Sequence, residues 1–266
     1  MRVILHADDF GFDKDTLSAT IDCFEKGALT SCSIMVNCEA SELALDYARK
    51  HPEFSYGVHL TYVDGYRDGL KPLCNPNTIP SLVHDDGTFL ESDIVRKKAL
   101  LFRLPRKEVI AESQAQIDKM EASGVKVSHL DSHGHLHKFL SILYSMKHLK
   151  VSGIPVRKVR ASQNIYVVKP SWKTPVYWLN KYFNWYLKRT FKNPEYFYMS
   201  ANNMDTGWAD CVLAQMDNLP QDAVIEIGVH PGHKEQWRQH EYDDIIDFAK
   251  KLRVSGKHQI INWNQI

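Results

Sequence analysis

Short β-type runs alternate with helical patterns from one end of this chain to the other, which confines the fold to βα units around a parallel sheet or barrel. Residues 2–7 read as a buried strand. After them Leu17, Ile21, Phe24 and Ala28 recur at helical spacing until Gly27 and Leu29 close the element. Further strands are expected at 31–36, 56–60, 125–130, 156–160, 223–229 and 259–263. Helices are expected at 108–123, 140–151, 208–219 and 242–252, each ended by a Gly or Pro. No repeat, low-complexity tract or linker interrupts the order, and 266 residues suit one α/β barrel. The expectation is a single domain, 1–266, of the α/β class: a distorted (β/α) barrel with parallel strands. The longest irregular stretch, 64–90, carries Pro72, Pro76, Pro80, Gly65, Gly69 and Gly87, and is expected to be a lid or binding loop bordering an active site.

A hydrophobic share of 44% is enough for a sizeable core, and no run approaches the ~18 apolar residues of a membrane span. The 33 Lys and Arg against 32 Asp and Glu leave a balance near zero, which argues against a nucleic-acid partner. The five cysteines are scattered without a CxxC spacing, so they read as reduced, structural thiols. No charged n-region followed by a long apolar stretch opens the chain, and a cytoplasmic location is expected.

Several candidate strands end in His or Asp: Asp8 and Asp9, then His59, then Asp131 and His133, then His230. In parallel barrels and open α/β sheets the active site forms at the carboxyl ends of the strands, so groups remote in sequence converge there. Period-2 geometry puts His129, Asp131 and His133 on one face, and His135 and His137 continue the alternation if the chain stays extended. A hydrolytic metal site needs about three protein ligands with open positions, and imidazoles with a carboxylate suit zinc or another borderline divalent ion. Asp9, His59 and His133 fill that requirement, and Asp8 is left to take a proton from the attacking water. Blander readings stand beside these. The Asp8–Asp9 pair also suits a helix cap and turn, His59 a hydrogen-bonded core histidine, His135 and His137 surface histidines, and His230 a turn before Pro231 and Gly232.

Taken in order, the blocks at 7–11, 57–60, 129–137 and 229–232 resemble the signature segments of the YdjC-like carbohydrate deacetylases, and Pro72, Pro80 and Gly87 lie in a loop similar to that family's. The likeness spans most of residues 1–235. It implies a distorted barrel related in shape to the NodB-like polysaccharide deacetylases. It also implies one divalent metal, zinc or magnesium first and cobalt or nickel next, held by Asp9, His59 and His133. Asp8 is then the catalytic base and His230 the general acid. From their place in the same histidine run, Asp131, His135 and His137 are expected to contact substrate or support the ligands. The implied reaction removes an acetyl group from an N-acetylated sugar. Rival readings are a metal-dependent phosphoesterase or amidohydrolase on a similar barrel, and a sugar-binding module with a structural metal. Arg157 and Arg160 either orient Asp8, bind an acidic sugar or lie at the surface.

The segment 170–200 departs from the family pattern and reads as an aromatic, basic insertion. Within it Trp178, Tyr182 and Trp185 fall at i, i+4 and i+7 beside Lys181, Lys188, Arg189 and Lys192. This helix suits the core or a homodimer interface, or else a glycan or a membrane surface carrying a lipid-linked substrate.

Overall fold

The computed structural model describes residues 1–63, 69–200 and 207–266. The strands are β1 (Arg2–Phe10), β2 (Ser31–Ile34), β3 (Ser55–Leu60), β4 (Val127–Ser132), β5 (Lys150–Val151), β6 (Ile154–Pro155), β7 (Tyr196–Met199), β8 (Val224–Val229) and β9 (Gln259–Ile261). The helices are α1 (Lys14–Glu25), α2 (Ser41–Lys50), α3 (Ser92–Leu100), α4 (Arg106–Ala122), α5 (Leu140–Ser145), α6 (Pro175–Thr190), α7 (Trp208–Met216) and α8 (Gln236–Ser255).

Strands pair in the order β4-β3-β2-β1-β8-β7, all parallel, with β9 beside the first residues of β1. The core strands are buried on both faces because helices cover the outside and the sheet curls over its own interior. The extended residues after β6 draw its two ends together. Arg160 N–H donates to the Leu130 carbonyl at 2.9 Å, Lys192 N–H to the Arg157 carbonyl at 2.7 Å, and Asn164 N–H to the Phe197 carbonyl at 3.1 Å. The result is a distorted barrel in which 156–160, expected as a strand, contributes only single bridges at Lys158 and Val159.

The amino-terminal mouth of the barrel is plugged. The chain after β9 places the buried indole of Trp263 flat on His129, with ring centroids 4.1 Å apart, and its Nε1 donates to Glu226 Oε1 at 3.2 Å. Gly57 makes room for this layer, since a Cβ there would sit 2.6 Å from the His129 ring. The opposite mouth, at the strands' carboxyl ends, holds the polar residues.

Two expectations are corrected. The helix expected over 140–151 stops at Ser145, because Ser152 and Gly153, both at positive φ, form a tight turn that pairs β5 with β6. Gly153 therefore belongs to a hairpin and is no helix stop. Part of the supposed insertion 170–200 is integral, since β7 pairs with β8 in the sheet. Of the loop 64–90, residues 64–68 lie outside the described residues. The remainder is a strap on α4: the amides of Leu73 and Cys74 donate to Glu112 and that of Ser81 to Glu108, while Ile79, Leu82 and Phe89 are buried.

Candidate metal centre

Consecutive residues of a regular strand point to opposite faces, so an unbroken β1 presents Asp8 and Asp9 on different sides. The structure solves this with a bulge. Between Ala7 and Phe10 the register against β2 slips by one residue, and Asp9 takes φ 61, a left-handed conformation that Asp tolerates better than most residues. Both carboxylates are thereby buried in the same mouth. His59 arrives at the end of β3. Its Nδ1 contacts Asp131 Oδ1 at 2.9 Å and Ser33 Oγ at 2.9 Å, which leaves Nε2 facing Asp9 Oδ1 at 3.3 Å. His133 Nδ1 lies 3.0 Å from the same Asp9 oxygen.

The alternation expected from His129 to His137 ends at Ser132. There the chain turns through a tight helical segment with Gly134 at φ 60 and His135 at φ 54, which no extended strand contains. Arg96 pins this turn by donating to the Gly134 carbonyl at 2.7 Å. His129 consequently faces the plugged end and Asp131 sits behind His59, while His135 packs edge-on to Phe197. His137 is buried with Nδ1 2.8 Å from Ser132 Oγ, and burial, despite Asp131, lowers it to about 3, so its ring is neutral.

Beneath the mouth runs a charge network anchored by Arg160. Its Nη1 lies 2.8 Å from Asp8 Oδ1 and 2.7 Å from Asp131 Oδ2, and its Nη2 donates to Glu226 Oε1 at 2.8 Å. Burial pushes the Asp8 carboxyl up, but Arg160, His59 and His6 outweigh it and hold it well below the usual carboxylate range. Asp9 is held low in the same way, burial being overcome by His133 and by Arg238, which donates to its Oδ2 at 2.8 Å. His230, following β8, points Nε2 to within 4.0 Å of Asp8 Oδ2 and holds Glu241 Oε2 at 3.1 Å from Nδ1. Burial alone would lower its pKa, yet the Glu241 carboxylate raises it above the ordinary histidine value.

The surface reading of Arg160 is overturned, for the side chain is 0% exposed. The inward period-2 position at the end of 156–160 was the available signal. Arg238 and Glu241, on α8, carried none, because their link to Asp9 and His230 crosses helix and strand. Removing Arg160 would strand three buried carboxylates. Arg160→Met is therefore expected to lower unfolding stability by about 3–5 kcal/mol, and Arg160→Lys by less. Urea titration measures both, and a Met variant as stable as the wild type would contradict the buried network.

The donors fit a divalent cation. Asp9, His59 and His133 each offer an atom within 4.8 Å of the others. Around them five buried carboxyls, Asp8, Asp9, Asp131, Glu226 and Glu241, face two buried guanidiniums, Arg160 and Arg238, leaving a formal excess of negative charge. Without a cation that excess overcomes the effect of burial and, through Asp131 and Asp8, holds a proton on His59 up to about 10. A carboxylate on the far nitrogen of His59 is also the usual support of a metal-binding imidazole.

A parallel α/β barrel with this His/Asp group at the carboxyl ends of its strands defines a protein with a candidate metal centre in its open mouth. The chain belongs to the YdjC-like protein family, whose profile matches residues 2–254. It is 32% identical over 158 residues to a carbohydrate deacetylase of Brevibacillus brevis, a match covering 59% of this chain and 59% of that protein. With a carbohydrate deacetylase of Halalkalibacterium halodurans it shares 35% identity over 159 residues, covering 59% of this chain and 63% of the relative. The chain thus spans about three fifths of the length of the curated relatives it matches. A solved structure from Enterococcus faecalis, described as a cellobiose-phosphate cleavage protein, has the same fold, with a TM-score of 0.75 at 21% identity over 99% of this chain and 98% of the other.

Proposed function

We propose that residues 1–266 act as one catalytic unit that hydrolyses the acetamide of an N-acetylated sugar to acetate and the free amine. The observation that carries this reading is the meeting of Asp9, His59 and His133 in the same mouth as a second, ionised carboxylate, Asp8, and a histidine, His230, whose pKa the Glu241 carboxylate raises. The names of the relatives from Brevibacillus brevis and Halalkalibacterium halodurans support the substrate class.

Asp9, His59 and His133 would hold a divalent ion, zinc or magnesium first, cobalt or nickel next. When bound, such an ion supplies Lewis acidity, polarising a carbonyl and making water a better nucleophile. Asp8 takes the proton of the attacking water; as water oxygen bonds to the acetyl carbon, the C–N bond breaks and His230 gives its proton to the departing nitrogen. Asp131 and Ser33 keep His59 oriented, and Glu241 raises the pKa of His230. Trp237, half-buried with its ring 5.7 Å from that of His230, offers an apolar face to a sugar. We assign the strap at 69–90 to the rim of the substrate cleft, and His135 and His137 to substrate contact.

Acetate release from a panel of N-acetylated sugars, with zinc, cobalt, magnesium or nickel added, tests the reading. A metal-loaded protein that liberates acetate from none of them, yet cleaves phosphate esters, would replace it. The proton on His230 supplies a pH prediction. The acid form is required, its pKa lies above the ordinary value, and activity falls as pH rises through it. Glu241→Gln removes the carboxylate that outweighs burial, so the alkaline limb of the kcat/KM profile is expected to move to lower pH. An unmoved limb would detach His230 from the acid role.

A further inference from the structure

The near-zero net charge conceals a strongly divided one. From residue 132 to residue 194 the chain has twelve Lys and Arg and no Asp or Glu, and residues 94–107 add six more, again without an acidic residue. The remaining 15 basic residues face all 32 acidic ones. The same two segments carry the exposed apolar surface. Ten of the thirteen exposed large apolar side chains among the described residues lie within 94–107 and 166–194, including Phe102 at 61%, Trp178 at 57% and Trp185 at 52%.

Helix α6 and the 94–107 segment form one face; Arg160, buried beneath the mouth, and Lys158, whose Nζ donates to the Trp263 carbonyl at the plugged end, are not part of it. Helix α6 sends Phe183 and Leu187 into the core, and on its outer side Trp178, Tyr182, Trp185 and Arg189 recur at i, i+4, i+7 and i+11. Lys181 stands 5.3 Å over the Trp178 ring and Arg189 5.1 Å over Trp185, so cations border the aromatic stripe. Tyr144 joins the segments: its ring stacks on Phe102 at 6.0 Å and meets Tyr186 at 5.0 Å, and its hydroxyl bonds that of Tyr182. Phe102 is held outward at φ 55, a conformation a bulky residue rarely adopts. The core reading of α6 is thereby excluded for its aromatic stripe.

We propose that this face docks on an anionic lipid bilayer. Trp and Tyr settle at the headgroup level, and each Lys or Arg near such a surface adds about 1 kcal/mol, about a fivefold gain in partition. A second copy of the chain fits less well. An isologous dimer lays the same patch against itself, so its many cations meet the partner's cations, with Glu195 beside Lys188 as an acidic residue at its edge. The face also adjoins the candidate metal centre, because α6 packs on the turn that carries His133 through Phe183 and Phe139, and Arg96 grips the same turn. Docking therefore brings the mouth to the lipid boundary, where an acetylated sugar on a lipid carrier would be presented.

Flotation of the full chain with phosphatidylcholine vesicles, alone or mixed equally with phosphatidylglycerol, tests this independently of catalysis. The protein is expected to float with the mixed vesicles only and to be released by high salt. The pair Lys181→Glu and Lys188→Glu is expected to weaken partition at least ~tenfold. Trp178→Ala with Trp185→Ala is expected to abolish it, with an unchanged thermal melt for both doubles since all four side chains are exposed. A wild type that stays with the vesicle-free fraction overturns the proposal, as does equal binding to neutral vesicles that ignores the lysine reversals. A dimer in size-exclusion chromatography that the tryptophan pair dissolves, without flotation, would assign the face to self-association. Binding of a single-stranded oligonucleotide in place of vesicles would assign it to nucleic acid.

Discussion

His133→Ala and His59→Ala are each expected to lose the bound divalent metal and to fall to background activity. The proposed donor set is two imidazole nitrogens and one carboxylate oxygen, and each imidazole points at the same Asp9 oxygen. Two donors cannot fix a coordination geometry, and loss of even a supporting contact behind a ligand typically weakens metal affinity by about 10–100-fold. The two variants differ in what else they disturb. His59 is also clasped by Asp131 and Ser33, so its truncation frees a buried carboxylate and lowers stability as well. His133 is 12% exposed on the rim turn, and after its loss Asp9 keeps Arg238 and the Arg160 network is untouched, which makes it the cleaner test. Metal per chain, measured by mass spectrometry after exhaustive dialysis, decides the matter. One tightly held ion in both variants would show that the donors are elsewhere.

The order of elements and the gathering of polar residues at strand ends were legible in the sequence because both follow from local rules. Strand period and helix spacing are written in consecutive residues, and parallel pairing then carries Asp9, His59, His133 and His230 to one mouth. What was not legible depends on register and on distant partners. A regular strand would have separated Asp8 from Asp9, and only the slip against β2 unites them. The histidine alternation suggested a strand running to His137, whereas Gly134 and His135 bend the chain and Arg96, some forty residues earlier, fastens the bend. β7 was hidden in an aromatic, basic segment, since four residues paired on a remote strand leave no periodic signature. Arg160 was legible only as one of two arginines that could orient Asp8, bind an acidic sugar or lie at the surface, and its three carboxylates come from β1, β4 and β8.

Separating the two adjacent aspartates is the sharper test of the chemistry. Asp8→Asn is expected to keep the metal and lose activity by ~10²–10⁴-fold, the range of a positioned general base. Arg160 makes this possible, since it remains paired with Asp131 and Glu226 when the Asp8 charge is gone, so the network that surrounds the ligands survives the exchange. The same guanidinium keeps Asp8 ionised at neutral pH and weakens it as a base, so its value lies in position, 4.0 Å from the nitrogens of both His59 and His230. Asp9→Asn is expected to lose metal and activity together. Its oxygen is the one on which His59 and His133 converge, and the amide also abandons part of the charge that Arg238 answers. Metal content and acetate release are measured on both variants at equal loading. Equal metal loss in the two would collapse the division of labour between base and ligand. Full activity in Asp8→Asn would move the base to another group in the mouth.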